Sequence, residues 1–276
     1  METMAQTSIQ LYNQLQRQNR SPEDLTLVRH ACDLARSLYS GIFRADGVPV
    51  VTHLAGTASV VAQLGLPGDI VAAACLHNVY TNGDFGDGRG KCVTAWRRRF
   101  VENAVSRDVE AHVYRFWMML RRKPLELPAL KEHLDTLTSR DRQLLVVDLA
   151  DTLEKCHDLG PLYYGDGRWL RDYVRGEGPV LIALAEQLGH ADLAAMLSDC
   201  FSRLLSTTIP QSLESADSRQ QYARLEIPRS CMRRPGIVAR RKMWWLWRRL
   251  RRVGSALIHG RHAPRRARVG SAPVES

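Results

Sequence analysis

Between His53 and Tyr80, two apolar stretches, roughly residues 53–64 and 69–80, are separated only by Gly65-Leu66-Pro67-Gly68. So short a connection, punctuated by glycine and proline, predicts a hairpin of two apolar helices. Ser21-Pro22-Glu23-Asp24 is a helix start, with a Ser cap, Pro at the first helical position and an acid three residues after the cap. Leu25, Val28, Ala31, Cys32, Ala35 and Leu38 then recur as the stripe of an amphipathic helix. Further helices are predicted over much of 93–121, over about 140–158, and from Pro179 through Phe201 with a break at Gly189. Arg44 to Pro49 is an extended or turn segment, and Asn82 to Gly90, with four glycines, is a loop. No segment sustains period-2 alternation with β-branched residues, so the expected fold class is all-α.

Composition narrows the class further. A chain with 45% hydrophobic and 25% charged residues is neither fibrous, collagenous nor wholly disordered. It has no run near the ~20 apolar residues that span a bilayer. Its first residues lack the basic and apolar regions of a secretory signal, so a cytoplasmic location is expected. Of the net charge of +10, residues 229–276 hold +13, from 14 Lys/Arg against Glu275 alone, which leaves the body at −3. Six widely spaced cysteines, without a C-x-x-C pair, read as reduced, structural thiols.

His53 opens the first arm of the hairpin and His77 lies near the end of the second. At 1.5 Å per residue the arms reach about 18 Å and about 12 Å back from the turn, so both histidines can meet at its open end. Two such histidines, with a carboxylate from a third helix, suit a divalent metal that activates water. Asp148 and Asp151, three apart on one helix, offer that carboxylate. The same residues also read as two core histidines and a solvated acidic helix face.

The ordered set Arg44-x-x-Gly47-x-Pro49-x-x-x-His53, then Leu76-His77, then Leu149-Ala150-Asp151-x-Leu153, resembles the hydrolase domain of RelA/SpoT proteins, within the HD phosphohydrolase superfamily. The likeness spans about residues 25–160. It implies an all-helical HD-domain bundle that binds manganese and removes a 3′-pyrophosphate from (p)ppGpp. On this resemblance His53, His77 and Asp151 are metal ligands, and Arg44 lies near the nucleotide base. Gly47 and Pro49 shape its turn.

Departures from the pattern fall on the chemistry. Asn78 stands where the family has the Asp of its His-Asp pair, and Thr81-Asn82 replace an acidic pair. That removes one charge from the site and its expected general acid/base. Asn78, Asp84 and Asp148 are the residues left to serve there, with Asp87 in the same glycine loop. Leu54 replaces the family's Pro. Leu54-x-Gly56-Thr57, Leu76-His77-Asn78-x-Tyr80 and Ala111-His112-x-Tyr114 also look like an HD-related group in which that Asp is a small polar residue. Arg97-Arg98-Arg99 and Arg121-Arg122-Lys123 read as solvated helix surface, with phosphate binding as the alternative.

The expected organisation is a helical HD-like domain over 1–205, a flexible linker over 206–236 and a basic, Trp-rich, partly disordered tail over 237–276. Within 240–258, Met243, Leu246, Trp247, Leu250, Val253 and Leu257 recur at helical spacing among arginines. This is the pattern of a helix lying on an anionic membrane surface. Nucleic acid is the runner-up reading, and the other is a disordered tail or a helix that docks on the acidic surface of the body. Two functions follow: a divergent metal-dependent phosphohydrolase acting on a nucleotide or other phosphorylated small molecule, or an inactive HD-fold module that only binds such a ligand.

Overall fold

The computed structural model of the 276-residue chain describes residues 3–44, 46–121, 134–164, 167–213, 225, 227, 243–244 and 246–247. The chain divides into two units. One comprises Met1–Phe85 with Gly90–Arg233, the other Gly86–Arg89 with Arg234–Ser276. In the first, the order is α1 (Ser8–Arg17), α2 (Pro22–Tyr39), α3 (Val50–Gln63), α4 (Gly68–Ala74), α5 (Val79–Asn82), α6 (Ala95–Ala104) and α7 (Arg107–Arg121). Then come α8 (Ser139–His157), α9 (Gly160–Tyr164), α10 (Gly167–Gln187) and α11 (Ala191–Ser206). Among the described residues there is no strand, only one bridge between Phe43 and Pro49. The fold is all-α, as the sequence predicts.

Helix α3 is central, and of its fourteen residues only Val51, Thr52 and Gln63 escape full burial. Helices α1, α2, α4 and α8 pack around it. Small residues at Ala55, Gly56, Ala58, Ser59 and Ala62 let those neighbours approach on every side. Its polar groups are answered within the core: Ser59 donates to Gln14 Oε1 at 2.6 Å, and Gln14 donates back to the Ser59 carbonyl at 3.0 Å. A buried amide left unpaired there would cost about 1–3 kcal/mol, so this exchange fixes α1 in register on α3.

Helix α2 starts as expected, with the Ser21 hydroxyl accepting from the Asp24 amide at 3.1 Å and Pro22 at the first position. Elsewhere the boundaries differ. The expected 93–121 helix is two, α6 and α7, because Val105 leaves helical geometry at φ −127°, ψ −78°. The helix through Pro179 begins earlier, at Gly167, and holds the proline in its interior. Helix α1 was not foreseen; its Thr7 cap and Gln10 form a reciprocal capping box.

The second arm of the hairpin also stops short. α4 ends at Ala74, and residues 75–78 form tight turns through Leu76 N–H to the Ala73 carbonyl (3.0 Å) and Val79 N–H to the Leu76 carbonyl (2.8 Å). His77 therefore sits in a turn beyond the helix rather than within it.

In the stretch read as linker, Ile209 is buried and Leu225 and Ile227 pack against the helical core. Of the expected tail helix, Met243, Trp244, Leu246 and Trp247 are helical, and the remainder of 240–258 lies outside the described residues. Arg122 and Lys123 also lie outside them.

Candidate metal centre

Three elements bring His53, His77 and Asp151 together. His53 is in the first turn of α3, His77 is in the turn after α4, and Asp151 is on the buried face of α8. One ligand atom from each lies within 4.8 Å of the others. Asp151 Oδ1 is 3.1 Å from His53 Nε2 and 3.2 Å from His77 Nε2. The histidine rings meet edge to face with centroids 5.3 Å apart, and Phe116 of α7 braces the His77 ring at 5.6 Å.

The remaining ring nitrogens are tied from behind. His77 Nδ1 donates to the Ala74 carbonyl at 2.7 Å, and His53 Nδ1 is hydrogen-bonded to Glu154 Oε2. Each bond fixes a tautomer and turns Nε2 inward, the arrangement that a metal-ligating histidine needs. Arg44 holds Glu154 in turn, at 3.1 Å, and approaches Asp46 Oδ2 to 2.6 Å. Asp151 Oδ1 is buried and accepts no hydrogen bond, although both Nε2 atoms face it. A buried carboxylate oxygen that has no hydrogen bond and faces two imidazole nitrogens fits a position where a cation shares the three atoms.

Charge around the cluster is finely divided. Burial disfavours a charged His53, but Glu154 and Asp151 outweigh it and raise its pKa. Burial likewise opposes ionisation of Asp151, yet Lys155 and the two histidines hold its pKa well below the usual value. Lys155, four residues on along α8, forms an ion pair with Asp151 Oδ2. Asn78 turns its amide nitrogen to His77 Nε2 at 2.6 Å. To offer oxygen to a cation, that amide must turn over.

Asp148 is one turn before Asp151 but outside the cluster, and its charge acts on Lys155 and on Tyr173 of α10. Asp84 is held by its own N–H on the Leu38 carbonyl at 2.9 Å and does not join the cluster. Asp87 belongs to the other unit. The arginine run on α6 is mostly structural rather than solvated. Arg97 is buried, donates to the Gly90 and Cys92 carbonyls and lies 4.6 Å over the Phe85 ring. Arg98 pairs with Glu110 through two contacts of 2.7 Å. His112 contacts Asp69 Oδ2 at 2.9 Å, which joins α7 to the start of α4.

Glu154 and Lys155 were not singled out from the sequence. Their signal was available: they follow Asp151 at i+3 and i+4, so all three lie along neighbouring rows of one helix.

Residues 31–162, which contain every member of this cluster, match the family described as HD domain. This segment is an HD domain. A stretch of 46 residues is also 46% identical to the guanosine-3′,5′-bis(diphosphate) 3′-pyrophosphohydrolase of Haemophilus influenzae. That stretch covers 17% of this chain and 7% of that enzyme. HD domains typically depend on a divalent metal, and His53, His77 and Asp151 of this one are placed to hold it.

Proposed function

We propose that the protein is a divergent HD-type metal-dependent phosphohydrolase acting on a nucleotide, of which (p)ppGpp is the first candidate. The carrying observation is Asp151 Oδ1, buried without a hydrogen bond between two inward-facing histidine nitrogens. A divalent ion there, manganese by resemblance, would polarise a phosphoryl oxygen and lower the pKa of a bound water. His53, His77 and Asp151 would hold it, Glu154 and Arg44 would orient His53, and Asn78 would supply a neutral amide. Asp84 and Asp148 remain proposed acid/base residues, which would have to act from outside the cluster.

A second reading, ligand binding without turnover, is favoured by Lys155. Its ammonium neutralises the one carboxylate of the cluster, and Asn78 restores no negative charge. Metal analysis of the full chain tests the first step. About one Mn, Fe or Zn per chain, lost in His53→Ala and in His77→Ala, supports the site; protein that stays metal-free in saturating Mn²⁺ overturns it. Manganese-dependent release of pyrophosphate from (p)ppGpp or another nucleotide then separates turnover from binding alone.

The basic stretch 240–258 is proposed to attach the chain to an anionic membrane surface. Support comes from its arginines and from the exposed Met243, Leu246 and Trp247. Among the described residues no helix is long and apolar enough to cross a membrane. Sedimentation with anionic liposomes, lost on truncation near residue 230, is the expected result. Unchanged sedimentation of the truncated protein, or binding only to nucleic acid, overturns it.

A further inference from the structure

Cys32 of α2 and Cys75, the C-cap of α4, bring their sulfurs to 3.7 Å. Cys75 is buried, whereas Cys32 is partly exposed. Both line a cavity of about 190 Å³ whose wall also includes Gln6, Asp33, Arg36 and Thr52. The volume admits several water-sized molecules, enough for a small oxidant to reach Cys32.

We propose that Cys32 and Cys75 form a peroxide-oxidisable dithiol, with Cys32 the sulfur oxidised first and Cys75 the one that resolves it. The Cys32 thiolate attacks one oxygen of hydrogen peroxide: an S–O bond forms, the O–O bond breaks, and the departing hydroxide takes a proton to become water. The Cys75 sulfur, on losing its proton, then attacks the Cys32 sulfenic acid. The S–S bond forms, the S–O bond breaks, and a second water leaves. Two thiols and one peroxide thus yield one disulfide and two waters, with two electrons passing from sulfur to oxygen.

The geometry requires the sulfurs to close from 3.7 Å to roughly 2.05 Å. The charge environment agrees with the order of events. The hydrogen bond from Cys75 pulls the Cys32 thiol below its ordinary pKa, burial works against this, and the Tyr12 hydroxyl adds to the lowering. The same hydrogen bond, with burial, holds the Cys75 thiol well above its ordinary value, so the partly exposed Cys32 reacts first. Burial also pushes the Cys156 and Cys200 thiols up, to about 12 and about 11. The resulting bond would fasten α2 to the turn that carries His77, two residues beyond Cys75.

The test is a thiol map of the reduced full chain before and after hydrogen peroxide, with free thiols capped by N-ethylmaleimide in denaturant after the exposure, so that buried thiols are labelled too, and peptides mapped without reduction. The expected result is loss of two of the six labels, appearance of a Cys32–Cys75 linked peptide, and recovery of both labels with dithiothreitol. In Cys75→Ala the Cys32 sulfenic acid should persist and be captured by dimedone; in Cys32→Ser, Cys75 should stay fully labelled. The wild-type map stands even if Cys75→Ala fails to fold. Cys32 still labelled when Cys92 or Cys231 is oxidised, or linked to any cysteine other than Cys75, overturns the proposal.

Discussion

Glu154 holds His53 by its Nδ1, and the opposite nitrogen of that ring lies 3.1 Å from Asp151. The two carboxylates, one turn apart on α8, grip the same imidazole from either side. Only the Asp151 side leaves a buried oxygen without a hydrogen bond. The Glu154 side is closed by Arg44. The division suggests that Glu154 sets the ring and Asp151 shares the cation.

Glu154→Ala should therefore weaken metal binding without touching a ligand. Loss of a carboxylate behind a ligating histidine typically costs about 10- to 100-fold in affinity. Titration with Mn²⁺, followed by calorimetry or by electron paramagnetic resonance of the free ion, measures it. Glu154→Gln keeps an acceptor and should lose less. Equal affinity in Glu154→Ala and wild type would show that His53 is oriented by something else.

Gly56→Ala should act through the same contact. A Cβ at position 56 would lie 2.8 Å from Glu154 Cγ, inside any real carbon contact. Helix propensity alone favours alanine by about 1 kcal/mol, but Glu154 is pinned by Arg44 and His53 and cannot swing away cheaply. The expected outcome is a lower melting temperature together with weaker Mn²⁺ binding. A more stable protein with unchanged affinity would mean that Glu154 yields freely.

Asn78→Asp restores a negative charge next to His77 Nε2, where the amide now sits at 2.6 Å. Two unit charges near 4 Å attract by about 4 kcal/mol at an effective dielectric of 20, and most of this offsets desolvation. Mn²⁺ affinity should still rise by at least roughly tenfold, the equivalent of about 1.4 kcal/mol. Lys155→Met should add to it by freeing Asp151 Oδ2. If neither change tightens binding in a titration, charge at the cluster does not limit affinity.

Much of this centre was legible in the sequence because it depends on order and spacing. The hairpin connection at 65–68 set the two arms, and the His53, His77 and Asp151 motifs set what meets at their open end. The position of His77 was less legible: its helix stops at Ala74 through turns at Leu76 and Val79 that no capping residue announces. Glu154 and Lys155 follow Asp151 at visible helical spacing, but that spacing does not show that Glu154 reaches His53, 101 residues away. Arg97 read as surface for a similar reason. Its burial depends on the loop carbonyls of Gly90 and Cys92 folding back to meet it. Charge runs show composition, and only tertiary structure shows which member turns inward.

Acid should destabilise the helical unit through carboxylates away from the metal centre. Asp141, third residue of α8, has its pKa lowered by the Arg115 guanidinium, against burial, with the Thr138 hydroxyl adding to the lowering. Arg115 reaches it from α7 at 2.7 and 2.9 Å. Asp69 is lowered first by its hydrogen bond with His112, again against partial burial. A carboxylate with a folded pKa below its unfolded value gives stability that is full above the unfolded value, about 4. That stability is lost as the pH falls through the folded pKa. The melting temperature should therefore hold between about pH 5 and 7 on account of these groups and drop below about 4. Asp141→Asn should lower it at neutral pH and flatten the drop. Arg115 is 45% exposed, so screening limits the pair to about 1 kcal/mol or less, a shift of a few degrees. Thermal unfolding followed by circular dichroism across that range measures both proteins. An Asp141→Asn curve parallel to wild type at every pH would show that the α7–α8 ion pair carries none of the acid sensitivity.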